Sequence, residues 1–277
     1  MFKQYVADLE AKANEAIKTE EDEYVQDGLL HCGKCRTPKQ CRVELMGMTI
    51  SPKCLCKCEA ERREREQEAE QKREFAERIK RYRVMGFPQS QMQYWTFDND
   101  DKSNDKLSKM AKRYVDNFDT FSKDGKGLLL YGGVGTGKTY IACMIANALI
   151  DKGYPVLVTN FARVLSTLQG TFDKQEYLDS LNQFRLLIID DLGIERDTGY
   201  AKEQVFNIID SRYRAGLPMI ITTNLTMQKL AMESDLADKR VYDRILERCY
   251  PVEVAGESRR TKKLIDSRDD MKNILGI

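Results

Sequence analysis

No apolar run in the sequence approaches the roughly 20 residues that a helix needs to cross a bilayer, so no membrane partner is expected. A dominant charge sign is missing as well: 45 basic residues against 44 acidic ones leave a formal net charge of +1. That balance neither supports nor opposes a nucleic-acid partner, because a local basic patch can sit inside a neutral total. The opening stretch MFKQYVADLEAKANEAIK is amphipathic and charged, without the apolar middle of a secretory signal. A cytoplasmic chain is the expectation, and its eight cysteines are then thiols or metal ligands rather than disulfides. Histidine and tryptophan occur once each, and there are no internal repeats. What is present suffices for a globular core: 277 residues, 42% of them hydrophobic, in one large domain or one medium domain with a small accessory.

Composition shifts twice along the chain. Residues 1 to about 26 read as a helix ending in the acidic run TEEDE, and Cys32 to Cys58 holds six of the eight cysteines. From Glu59 to Arg83 the chain is almost wholly Glu, Gln, Lys and Arg with scattered Ala, which favours a long exposed helix. Gly86 and Pro88 stop it. Its eight acidic and nine basic residues form no basic stripe, so it reads as a solvated spacer. The boundaries are therefore 1–58 for an N-terminal helix and cysteine-rich module, 59–95 for the charged helix and a linker carrying Trp95, and 96–277 for a larger domain. In that domain the strand-like runs LLLY (128–131), PVLVT (155–159), LLIID (186–190) and MIITT (219–223) alternate with helical stretches. Such alternation predicts an α/β fold, a parallel sheet covered by helices on both faces.

Directly after the first of these strands stands GGVGTGKT, Gly132 to Thr139, the P-loop spacing. Gly132, Gly133, Val134, Gly135, Thr136, Gly137, Lys138, Thr139 and Tyr140 are the expected nucleotide-binding residues. Glycines let backbone N–H groups turn toward phosphate oxygens, and the following helix offers its positive end. Lys138 can reach the β- and γ-phosphates of ATP, and the Thr139 hydroxyl can ligate Mg²⁺. The plain alternative is a glycine-rich turn, but strand before and helix after are the context the loop requires. LLIID then brings Asp190 to the sheet edge where ligands bind. There it can hold Mg²⁺ together with Thr139, while Asp191 can orient or deprotonate the attacking water. A solvated acidic turn is the alternative.

Cys32-x-x-Cys35 and Cys56-x-Cys58 bracket a loop of twenty residues. Two short chelating pairs separated by a loop point to a structural Zn²⁺ site with four thiolates, in a segment too short to fold on a core of its own. Free thiols are the alternative. Cys41 and Cys54 are the expected spares, with Cys54 able to replace Cys56. His31 is a bystander beside the first ligand, and Cys143 and Cys249 lie in helical apolar patterns and read as core. Lys34, Arg36, Lys39, Arg42, Lys53 and Lys57 interleave with the cysteines, which keeps a nucleic-acid-binding ribbon in competition with a protein-binding module.

Five segments carry a family resemblance: YGGVGTGKTYIA, LLIIDDLGIERDTGYAKEQVFNIIDSRY, PMIITTNLT, KRVYDRILERC and GESRR. From about Thr96 to Arg260 the chain resembles the AAA+ ATPases of the bacterial helicase-loader family (DnaC-type) and the related transposition-helper ATPases (IstB-type). The resemblance implies a P-loop NTPase of the AAA+ class behind a small helical, zinc-ribbon-like N-terminal domain. It also implies Asn224 as the first sensor and Arg244 as an arginine finger acting in trans, with self-association through nucleotide and finger; Arg240, one turn earlier, is placed to share that role. Arg260 resembles the second sensor. Arg259 is the fallback, because the family has an aromatic before the arginine and this chain does not. The implied partners are a hexameric replicative helicase, gripped by the zinc module, and single-stranded DNA, with residues 161–172 where such proteins carry a DNA-facing helix. Asp191 stands where most AAA+ proteins have Glu, which implies slow hydrolysis. A transposition helper, or a nucleotide-gated adaptor with little hydrolysis, is the alternative function.

Overall fold

The structure, a computed structural model, describes residues 22–45, 47–101, 104–193, 198–233, 235–256, 258–259, 271 and 274–275. Contacts divide the chain into two compact units, Met1–Ala76 and Glu77–Ile277.

In the first unit, β1 (Glu23–Gln26) pairs antiparallel with β2 (Leu29–Cys32). Asp27 and Gly28 between them have φ of 52° and 73°, the paired positive values that match a two-residue turn to the twist of its strands. This corrects the sequence reading, which continued a helix to about residue 26. The Asp-Gly turn folds EYVQ back on LLHC, and Tyr24 and Val25 suit a strand. Residues 1–21 of that helix lie outside the described residues. A second small hairpin joins β3 (Val43–Leu45) to β4 (Met48–Ile50). Among the described residues of this unit the buried side chains are few: Leu30, Gln40, Cys32 and Cys56, with Gln40 Oε1 accepting the Leu30 N–H at 2.9 Å. The long helix α1 (Lys57–Gly86) follows. It carries Glu59–Arg63, Glu61–Arg65 and Arg62–Glu66 pairs at 3.5–3.8 Å, each adding a few tenths of a kcal/mol on a solvated surface.

The second unit is built on five parallel strands: β5 (Gly127–Tyr131), β6 (Val156–Asn160), β7 (Leu186–Leu192), β8 (Met219–Thr223) and β9 (Cys249–Glu253). Their order is β6-β7-β8-β5-β9. Alternation divides the strand residues between two cores. Leu128, Leu130, Leu186, Ile188 and Ile220 pack with α2 (Asp105–Asp116), α3 (Phe118–Lys123) and α4 (Lys138–Asp151). Leu129, Leu187, Ile189, Met219 and Ile221 pack with α5 (Phe161–Gly170), α6 (Lys174–Leu181), α7 (Gly199–Arg214), α8 (Met227–Ala231) and α9 (Leu236–Arg248). This is the parallel α/β sheet covered on both faces that the alternating runs predict. The fifth strand, β9, was not visible in the sequence. Cys249 opens it, buried, instead of lying in a helix. The short run CYPVE contains Pro251, which only an edge strand tolerates.

One buried charge organises the end of the sheet opposite the ligand edge. Arg212 of α7 is 1% exposed. Its guanidinium donates to the carbonyls of Leu181, Phe184, Arg185 and Pro218 at 2.8–3.3 Å. Burial lowers its pKa to about 9. Replacing Arg212 by Leu strands several of these carbonyls; urea unfolding should show a loss of about 3 kcal/mol.

Candidate nucleotide site and cysteine cluster

Parallel strands bring their C-terminal ends to one edge of the sheet. The loop after β5 turns at Gly132, Gly135 and Gly137, with φ of 144°, 80° and 101°, conformations that only glycine adopts without strain. α4 starts at Lys138, so its unpaired N–H groups and positive end border the loop. Lys138, 5% exposed, donates to the carbonyls of Gly132 (3.0 Å) and Gly133 (2.7 Å) and to Asn224 Oδ1 (2.7 Å). Thr139 Oγ1 donates to both carboxylate oxygens of Asp190, at 2.8 and 3.1 Å. Lys138, Thr139, Asp190 and Asn224, chosen from three separate stretches of sequence, thus meet around one loop.

Burial pushes the Asp190 carboxyl above its ordinary pKa, while the hydroxyls of Thr222 and Thr139 and the Lys138 ammonium pull it back. A carboxylate taken out of water is stabilised by a cation, and hydroxyl plus carboxylate beside a P-loop are the hard oxygen donors that Mg²⁺ takes. The residues present fit Mg·ATP.

One contributor escaped the sequence reading, and another was held there only in second place. Thr222 Oγ1 donates to Asp190 Oδ1 at 2.6 Å and accepts the Asp191 N–H at 2.9 Å. Its signal was present in MIITT: two hydroxyls ending an apolar strand that neighbours LLIID. Arg259, held only as a fallback, lies on the loop. Its N–H donates to Gly135 O at 2.9 Å, and its guanidinium lies 5.3 Å from the Tyr140 ring centre and 3.4 Å from Asp101. Arg260 lies outside the described residues. Arg244 is not part of this constellation. Within the chain it pairs with Asp210 at 2.8 Å and stacks over Phe206 and Tyr213, 4.5 and 5.7 Å from the ring centres. Arg240 is exposed.

In the first unit the ligand sulfurs of Cys32, Cys35, Cys56 and Cys58 all lie within 4.8 Å of one another. Cys58 Sγ is 3.6 Å from Cys32 Sγ and 3.4 Å from Cys56 Sγ. A tetrahedron of sulfurs with metal bonds of about 2.3 Å has edges of about 3.8 Å, so the cluster fits a zinc ion. The crowding shows in the thiols: Cys58 is pushed up to about 12 by the sulfurs of Cys56, Cys32 and Cys35, and Cys35 is lowered to about 5, first by the Thr37 hydroxyl. Cys41 and Cys54 stand outside, their thiols directed to the carbonyls of Pro52 and Pro38. His31 bonds Leu29 O through Nδ1 at 3.0 Å and stacks on Tyr24.

Residues 63–267 match the family described as IstB-like ATP binding protein. The chain belongs to that family. Among curated relatives of this IstB-like chain, the replicative helicase loader DnaC of Escherichia coli (strain K12) is 31% identical over 144 residues, 50% of this chain and 56% of that protein. The replicative helicase loader DnaI of Bacillus subtilis (strain 168) is 26% identical over 206 residues, 68% of this chain and 66% of that protein. The chain thus spans about half to two thirds of the curated relatives it matches. A crystal structure of DnaI aligns with a TM-score of 0.55 at 26% identity, covering 65% of this chain and 99% of that one. A crystal structure of the DnaC helicase loader shares the fold, with a TM-score of 0.51 at 24% identity over 60% of this chain and all (100%) of that one. The cysteine cluster precedes the span that matches the IstB-like family.

Elemental analysis checks the cluster: zinc should co-purify with the chain, be lost in Cys32→Ser and Cys56→Ser, and persist in Cys41→Ser. Stripping it with a chelator should unfold the segment around the two hairpins, seen as loss of amide protection there.

Proposed function

We propose that the chain is a Mg²⁺- and ATP-dependent loader that delivers a hexameric replicative helicase onto single-stranded DNA. The observation that carries this reading is the convergence of Lys138, Thr139, Asp190 and Asn224 at one loop, in a family whose curated relatives are named replicative helicase loaders. Bound Mg·ATP supplies the transferable phosphoryl group and the charge that polarises it. The loop from Gly132 to Tyr140 wraps the triphosphate, and Lys138 neutralises it. Thr139 and Asp190 hold the metal, and Asp191 orients or deprotonates the attacking water. Asn224, already bonded to Lys138, registers whether the last phosphate is present. Arg259 or its neighbour Arg260 serves as the second sensor. Arg244, with Arg240, acts on the nucleotide of an adjoining copy, so that self-association controls hydrolysis.

The cysteine module with its zinc grips the helicase. DNA contact falls to the outer side of α5, where Arg163, Ser166, Thr167 and Gln169 are exposed opposite a buried face of Phe161, Val164 and Leu168, and where Phe172 beyond it is fully open. Asp191 is one methylene shorter than the usual Glu, which suits a timed release switch.

A pull-down with Mg·ATP, read by mass spectrometry, should recover a replicative helicase; a transposase in its place would make the chain a transposition helper. Unstimulated ATP turnover should stay well below tens per second. Asp191→Asn should trap the helicase-bound state, whereas an adaptor that hardly hydrolyses ATP would be indifferent to it.

A further inference from the structure

Thr222 sits where β7 slips out of register with β8. The ladder pairs Leu187 with Met219, Ile188 with Ile220 and Ile189 with Ile221, and resumes at Leu192 with Thr223. Asp190 and Asp191 therefore oppose Thr222 alone, two residues against one, a β-bulge. In an unbroken strand neighbouring side chains project to opposite faces, so an Asp-Asp pair would place one carboxylate on each side of the sheet. The bulge, with Asp191 at φ 60°, breaks that alternation, and it takes the Asp191 N–H out of the regular ladder. The Thr222 hydroxyl replaces what is lost. It accepts that N–H at 2.9 Å and, with its own proton, bonds Asp190 Oδ1 at 2.6 Å. Thr222 is 0% exposed, so water does not compete for either bond. Its neighbour Thr223 does something different: it donates to Leu192 O and accepts the Leu225 N–H, staying on the backbone.

We propose that Thr222 is a positioning residue of the ATP site, its single hydroxyl holding the Asp190 carboxylate and the Asp191 backbone N–H together so that one strand end serves both metal and attacking water. This rests on the Mg·ATP reading above. Thr222→Val keeps nearly the same shape without the hydroxyl, and Thr222→Ser keeps the hydroxyl without the methyl.

With a fluorescent ATP analogue, Thr222→Val should need about tenfold more Mg²⁺ for half-maximal binding, while metal-free nucleotide binding stays at the wild-type level. Amide exchange at Asp191 should accelerate. Turnover should fall about tenfold or more, with KM for ATP at saturating Mg²⁺ within about twofold. Thr222→Ser should restore all of these. A wild-type Mg²⁺ midpoint with a protected Asp191 amide in Thr222→Val overturns the proposal, as does a Thr222→Ser protein equally impaired. Thr222→Ala supplies the same hydroxyl deletion should the valine protein not fold. Wild-type chain that shows no Mg²⁺-dependent nucleotide binding overturns the ATP reading itself. In that case, Asp191 amide exchange separates that failure from the loss of the bulge contact.

Discussion

A carboxylate that has been taken out of water has to be held by something, and in this chain Asp190 is held by two threonines. Thr139 reaches it from the first turn of α4 and Thr222 from the end of β8. Burial alone drives this carboxyl toward its neutral form; the two hydroxyls and the nearby Lys138 act against that. A cation bound there would add to what the hydroxyls and the ammonium begin. Around that carboxylate stand the loop that turns on its glycines, the helix end behind it, and the ammonium folded onto the loop carbonyls.

The covered parallel sheet explains why these groups meet. Each strand interior is apolar on both faces, so its polar residues collect where the strand ends. β5, β7 and β8 release there the loop, the two aspartates and Thr222 with Asn224. The same packing explains Arg212 at the opposite end, where a single guanidinium closes off four carbonyls that the connections would otherwise bury unpaired. The sheet is thus pinned by a donor at one end and polarised by acceptors at the other.

The cysteine cluster obeys a different physics. Among the described residues of its unit, few apolar side chains are buried, and ordering two small hairpins costs conformational entropy. Four sulfurs inside 4.8 Å supply a fold only when a cation takes their charge. Gln40 and the Asp27-Gly28 turn shape the strands.

Spacing and period were enough to read from the residues the P-loop, four of the five strands of the parallel sheet, the helix from Glu59 onward and the two chelating cysteine pairs. Each is a local pattern: glycines at fixed offsets, apolar runs of strand length, paired thiols. The strand at Glu23–Gln26, the edge strand that begins at Cys249, the contact of Arg259 with Gly135 and the in-chain pair of Arg244 with Asp210 were decided only in three dimensions. So was the bulge that sets Asp190 and Asp191 against Thr222. Register between distant strands is not written in either strand alone; it emerges when their side chains pack on a shared core, and only then does one hydroxyl find two carboxylate-bearing residues to hold.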